Sequence, residues 1–173
     1  DELEDPRDTQ VGAMVRLGPA AFGAEGEVED VDQQRPLEED ADVADPEVYG
    51  REAHCTTCHQ PDGKGLPGSG FPPLNGTKWA QGDSNRLIKL TLKGLMGPIE
   101  VAGKKYPGQV PMTPFESLLN DDEVASVLTY VRNSFGNKAS PIRPDDVKKV
   151  RDETKSKEGL YSPDELLKAH PMR

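Results

Sequence analysis

Cys55 and Cys58 stand three positions apart with His59 directly after them, and the chain contains no other cysteine. At this spacing each thiol can add across one vinyl group of a haem while the histidine is set to ligate the iron axially. Cys55-Thr56-Thr57-Cys58-His59 therefore reads as the attachment site of one covalent haem c. Other uses of a Cys-x-x-Cys pair fit less well. Zinc needs four ligands, and the remaining histidines, His54 and His170, form no second ligand pair. A redox dithiol usually opens a helix within a βαβ pattern, and none is found around these residues. A chance match is disfavoured in a chain with so few cysteines and histidines.

Iron ligated by His59 has a sixth position. The thioethers and imidazoles that could take it are Met14, Met96, Met112, Met172, His54 and His170. His54 adjoins Cys55 and cannot reach the opposite haem face, while Met14 and Met172 lie near the chain ends. Of the two left, Met112 sits in Val110-Pro111-Met112-Thr113-Pro114, where prolines on either side hold an extended loop and cut the entropy of presenting one sulfur. Met112 is thus the favoured metal ligand opposite His59, and Met96 is assigned to packing.

Capping signals and periodicity define the elements that must position these residues. Asp45-Pro46-Glu47 has the chemistry of a helix start, and a short helix is expected to run from it into the haem motif with Val48, Tyr49 and Ala53 inward. A glycine-rich loop over 60–70 follows, then Phe71-Pro72-Pro73-Leu74. A ligating histidine needs an acceptor for its other ring N–H, and the Pro72 carbonyl is the candidate. Trp79, the only tryptophan, either donates its indole N–H to a haem propionate or fills the core. Asp83 caps a helix expected over Ser84 to Lys93, with Gly94 as its stop. Arg86 lies in the first turn of that helix, unfavourable ground for a cation; it either meets an anion such as a propionate or is a plain surface arginine.

A capping box at Asn120 and Glu123 opens the closing helix, whose Val124, Val127, Leu128, Val131 and Phe135 recur at helical spacing. Beyond Gly136, a short helix is expected from Pro144 to Arg151. A second capping box at Ser162 and Glu165 starts another, and both are expected to wrap around the domain with His170 solvated.

Composition sets the frame. With 34% hydrophobic and 5% aromatic residues, and 17 Gly and 16 Pro, the chain is expected to form a loop-rich fold with a limited core that a covalent haem staples. Charge is uneven: residues 1–45 hold 15 Asp or Glu against Arg7, Arg16 and Arg35, about −12 of the net −10, leaving the rest about +2. That distribution disfavours nucleic acid as a partner. No apolar run approaches the 18 residues of a membrane span. No signal segment is seen, and since bacteria attach haem c outside the cytoplasm, a mature periplasmic or extracytoplasmic chain is expected after removal of its signal. The expected division is an acidic N-terminal arm over 1–44, a haem domain over 45–137 and a C-terminal helical extension over 138–173. Met14, Val15, Leu17 and Phe22 are the arm's candidates for packing on the domain or on a partner subunit.

From about residue 45 to 137 the chain resembles a class I c-type cytochrome domain. The likeness rests on Cys55-Thr56-Thr57-Cys58-His59, Phe71-Pro72-Pro73-Leu74, Pro111-Met112 and the closing helix with Tyr130-Val131-Arg132. More narrowly, Gly94-Leu95-Met96-Gly97-Pro98-Ile99 with Val101, Gly103 and Tyr106 is similar to mono-haem domains that accompany bacterial quinoprotein and sugar dehydrogenases. The resemblance implies an all-α small cytochrome c fold, three to five short helices around the haem, in which Cys55 and Cys58 carry it, His59 and Met112 ligate it and the Pro72 carbonyl orients His59. Where such domains commonly carry an aromatic four residues before the first cysteine, this chain has Arg51, and Tyr49 is the candidate substitute.

The expected function is single-electron transfer between redox proteins, a donor and an acceptor such as a dehydrogenase, a respiratory complex or an oxidase, with no acid–base catalysis by the chain. A second possibility is a subunit or module of a larger complex docked through the acidic arm. A third, a ligand-binding or peroxidase-like haem protein, requires an open sixth site.

Overall fold

The computed structural model describes residues 45–172, and the arm residues Met14, Val15, Leu17 and Phe22 lie outside them. Asp45 begins the described chain as read from sequence, its carboxylate accepting the Glu47 N–H at 2.7 Å. The expected continuous first helix is broken, however. A π-helical turn, Val48–Glu52, ends at Ala53, and His54 takes a left-handed backbone with φ 49° before α1, Cys55–His59, begins. Gln60, with φ 63°, bends the chain again at the far end of α1. Val48, Tyr49 and Ala53 are buried as expected.

Further along come a short α2, Lys78–Gln81, and α3, Ser84–Lys93, capped by Asp83 and stopped by Gly94 at φ 75°. Residues expected to be loop form a two-stranded antiparallel hairpin, β1, Ile99–Val101, and β2, Lys104–Tyr106. Its turn is Ala102-Gly103, both at positive φ, the geometry that a tight hairpin between twisted strands requires. The closing helix α4, Asp121–Asn133, has its complete Asn120–Glu123 capping box. The C-terminal extension supplies α5, Pro144–Glu153, and α6, Pro163–Ala169, the latter with the Ser162–Glu165 box.

The core gathers where α4 packs on the Val48–Glu52 turn, α2, α3 and α5. α5 and α6 both pack on α3, so the extension lies against the domain. Tyr49 is 2% exposed; its hydroxyl donates to the Gln60 carbonyl at 2.9 Å, and its ring meets Tyr130 and Phe135 at 5.3 and 5.5 Å. It braces the entry to α1, as read for an aromatic near this position. Two other expectations change. Met96 is 51% exposed and packs little, because its N–H and the neighbouring Leu95 backbone are bound to other strands. His170 is only 15% exposed in its side chain, held between Asp83 at 3.2 Å and Lys89 at 3.0 Å.

Candidate functional site

α1 is little more than one turn long, which puts Cys55, Cys58 and His59 at i, i+3 and i+4 on one side of it. The bends at His54 and Gln60 isolate this turn from the chain on either side. After it the backbone folds back: Gly65 donates to the His59 carbonyl at 2.9 Å, and Leu66 and Phe71 exchange hydrogen bonds at 3.0 and 3.1 Å. Gly65, at φ 66°, passes so close to this strip that a Cβ would lie 2.5 Å from the Phe71 and Pro72 carbonyl oxygens. The strip is therefore pressed against the turn that carries His59.

The consequence is a hydrogen bond of 2.9 Å between His59 Nδ1 and the Pro72 carbonyl. A carbonyl only accepts, so Nδ1 carries the proton and Nε2 keeps its lone pair. Burial pushes the His59 pKa below the ordinary imidazole value, with the Pro72 carbonyl opposing part of that shift, so the ring is neutral near pH 7. Burial also pushes the Cys55 thiol up to about 12, the reverse of what a redox dithiol requires.

Asn137 locks the strip from behind, a residue the sequence reading passed over. Its Oδ1 accepts the Gly76 N–H at 2.7 Å, and its Nδ2 donates to Val131 at 2.7 Å and Leu74 at 3.2 Å, joining the end of α4 to the segment after Pro72. Its place just past the closing helix, after Phe135 and Gly136 at positive φ, is the only local signal of that role.

Met112 is held by backbone. Its N–H and carbonyl pair with Leu95 at 2.9 and 3.3 Å, and a Cβ on Gly94 would lie 2.5 Å from the Met112 oxygen, so only glycine admits the loop here. The chain then caps α3, Phe115 and Glu116 donating to the Thr91 and Leu92 carbonyls at 3.0 Å each. Lys93 adds an ion pair to Glu116 at 2.7 Å.

His59 and Met112 line the same cavity, whose other walls include Pro72, Trp79, Leu87, Leu90, Ile99, Phe115 and Leu128. Among the described residues no Asp, Glu, Lys or Arg lines it. A second, outer space shares Cys55, His59, Pro72 and Met112 with it and adds Cys58 and Pro111. The thiols, the neutral imidazole and the thioether thus border two adjoining, largely apolar spaces, and this donor set fits a haem.

Trp79 contributes its ring to the cavity wall, but its indole N–H is donated to the Glu100 carbonyl at 3.0 Å, tying α2 to β1. Arg86 is not brought to the cavity. It is fully buried, Nη2 donating to Lys78 at 2.7 Å and Nη1 to His170 and Pro171 at 2.8 and 3.2 Å, with its guanidinium 5.3 Å from the Trp79 ring centre. What offsets its charge is a set of backbone carbonyls together with the Asp83 charge, rather than a propionate or bulk water.

The sequence profile of the family described as cytochrome c matches residues 46–135, the stretch that contains the motif turn, the Pro72 strip and the Met112 loop. The chain belongs to the cytochrome c family. With that membership comes covalently bound haem c, for whose attachment Cys55 and Cys58 have the spacing, and haem-based electron transfer. Over 108 residues the chain is 39% identical to cytochrome c-552 of Thermus thermophilus, covering 57% of this chain and 79% of that cytochrome. It is 35% identical to the fructose dehydrogenase cytochrome subunit of Gluconobacter japonicus, over 58% of this chain and 21% of that subunit. It is also 32% identical to the cytochrome c subunit of a quinone alcohol dehydrogenase of Gluconobacter oxydans, over 62% of this chain and 22% of that subunit. This cytochrome therefore spans most of the first relative but about a fifth of each dehydrogenase subunit. Among the described residues no helix is long and apolar enough to cross a membrane.

Proposed function

We propose that this cytochrome relays single electrons between redox proteins outside the cytoplasm through a haem ligated by His59 and Met112. The observation that carries the reading is that both side chains line one uncharged cavity, one from the motif turn and the other from the loop paired with Leu95. Haem bound there supplies a one-electron ferric/ferrous couple.

The residues supply the rest. The Pro72 carbonyl fixes the tautomer and orientation of His59 and makes it a stronger donor. The Met112 thioether is a soft ligand that favours the reduced form, and an apolar wall free of charged side chains acts in the same direction by disfavouring extra positive charge. With His59 and Met112 both given to the haem, no open site would be left for substrate, and the chain would act as a carrier. An extracytoplasmic location follows from where bacteria attach haem c.

The ferric protein should show the methionine-to-iron charge-transfer band, and Met112→Ala should abolish it while the haem stays attached. A band that survives the substitution overturns Met112 as the ligand. Binding of carbon monoxide by the reduced wild type would favour the ligand-binding alternative.

A second reading is that the domain serves as a subunit or module of a larger dehydrogenase complex, docked through the acidic arm. It is supported by matches that cover about a fifth of dehydrogenase cytochrome subunits. Co-purification of the native chain with a dehydrogenase would favour it, whereas a free monomer would count against it.

A further inference from the structure

The Met112 loop is braced by elements that lie beyond the residues matched by the cytochrome c family profile, 46–135. Leu95 pairs with Met112 on one side and, in parallel, with Tyr161 on the other. Tyr161 donates its N–H to the Gly94 carbonyl at 3.1 Å and accepts the Met96 N–H at 2.9 Å. The three segments thus form a ladder with Leu95 in the middle, and the outer rung comes from the C-terminal extension. Tyr161 is itself fixed by position: the residue is 9% exposed with Lys157 Nζ 5.0 Å from its ring centre, and the capped α6 starts two residues later.

A second contact joins the extension to the same loop. Arg151 on α5 donates to the carbonyls of Glu116, at 2.5 Å, and Leu119, at 2.8 Å, and pairs with Asp121 at 2.7 Å. Glu116 in turn bonds the end of α3 through its N–H and carboxylate. The loop from Met112 to Leu119 is therefore held at its start through Leu95 and Tyr161 and at its end through Arg151.

We infer that the C-terminal extension is a clamp that keeps Met112 in position, with Tyr161 and Arg151 as positioning residues acting through Leu95 and Glu116. The inference rests on the reading of Met112 as a haem ligand. Side-chain length cannot supply this role, because a methionine on a loop that is free to swing spends only part of its time at the metal. A backbone ladder makes the ligated arrangement the one that satisfies the N–H and carbonyl of Met112. Among the described residues the cavity wall adds no charged group that could hold the loop there instead.

The test uses full-length holoprotein carrying Tyr161→Pro, which removes the N–H that bonds Gly94. The methionine-to-iron band and far-UV circular dichroism are followed on heating, alongside amide exchange at Leu95 and Met112. The expected result is that the band is lost at a lower temperature than the helices, opening a gap absent from wild type, with exchange at both amides at least tenfold faster. Val147→Ala, which thins the α5 core without touching the ladder, should lower both midpoints together. The clamp is overturned if Tyr161→Pro also lowers both together and leaves exchange unchanged. If the wild type shows no band, the ligand reading has failed instead, and amide exchange alone decides the clamp. Should Tyr161→Pro not yield folded protein, Arg151→Met is read by the same two measurements, with exchange followed at Leu119 as well.

Discussion

Asn137 bridges the end of α4 and the strip that orients His59, so replacing it by alanine measures how firmly the proximal wall is anchored. The side chain is 2% exposed and makes three hydrogen bonds, to Gly76, Val131 and Leu74. Alanine leaves one N–H and two carbonyls without these partners. The bond to Val131 is wholly buried and its loss costs about 1–3 kcal/mol, and the two partly buried bonds add about 0.5–1.5 kcal/mol each. A central value is about 4 kcal/mol, above what single substitutions usually do. With a guanidinium dependence of about 3 kcal/mol per M for a domain of this size, the unfolding midpoint of the holoprotein should fall by about 1 M at unchanged slope. Asn133→Ala, which removes a single partly buried bond from an exposed residue to the Thr129 carbonyl within α4, is the control and should stay within about 1 kcal/mol of wild type. A midpoint for Asn137→Ala as close to wild type as the control would refute the claim that this amide anchors the strip.

Gly65→Ala forces a Cβ to 2.5 Å from two carbonyl oxygens at a φ of 66°, so it should lower the thermal midpoint by the equivalent of more than about 1 kcal/mol. An unchanged melt would show that the strip can move away. Burial opposes ionisation of Asp83, but the Arg86 N–H and the His170 and Arg86 charges outweigh it and hold its carboxyl below the ordinary range. The unfolded chain therefore binds the extra proton first, and this contribution is present above the ordinary carboxylate range and lost as pH falls through it. Denaturation midpoints should fall more steeply between about pH 5 and pH 3 for wild type than for Asp83→Asn, and parallel curves would refute the assignment.

Local chemistry makes much of this protein legible in its sequence. The motif turn, the caps at Asp83, Asn120 and Ser162, the stop at Gly94 and the inward stripe of α4 from Val124 to Val131 are all relations between residues a few positions apart, whereas Phe135, expected on the same stripe, lies past the helix end at φ 58°. Such relations keep their meaning wherever the segment lands, because a cap or a helical period is satisfied within one or two turns. The β1–β2 hairpin was also within reach: Ala102-Gly103 between Ile99-Glu100-Val101 and Lys104-Lys105-Tyr106 is a short turn between alternating segments.

Partner choice across the chain was not. Arg86 is met by Lys78, eight residues back, and by His170 and Pro171 at the far end, while Trp79 spends its N–H on Glu100 and Asn137 reaches back to Gly76. Each of these side chains has several chemically acceptable partners, and which one it meets depends on how α2, α3 and the extension pack. The same holds for the rung that Tyr161 adds beside Leu95 and Met112. Residue type and spacing announce the haem, but the setting of the Met112 loop is a product of packing, because backbone pairs between distant segments leave no periodic trace in sequence.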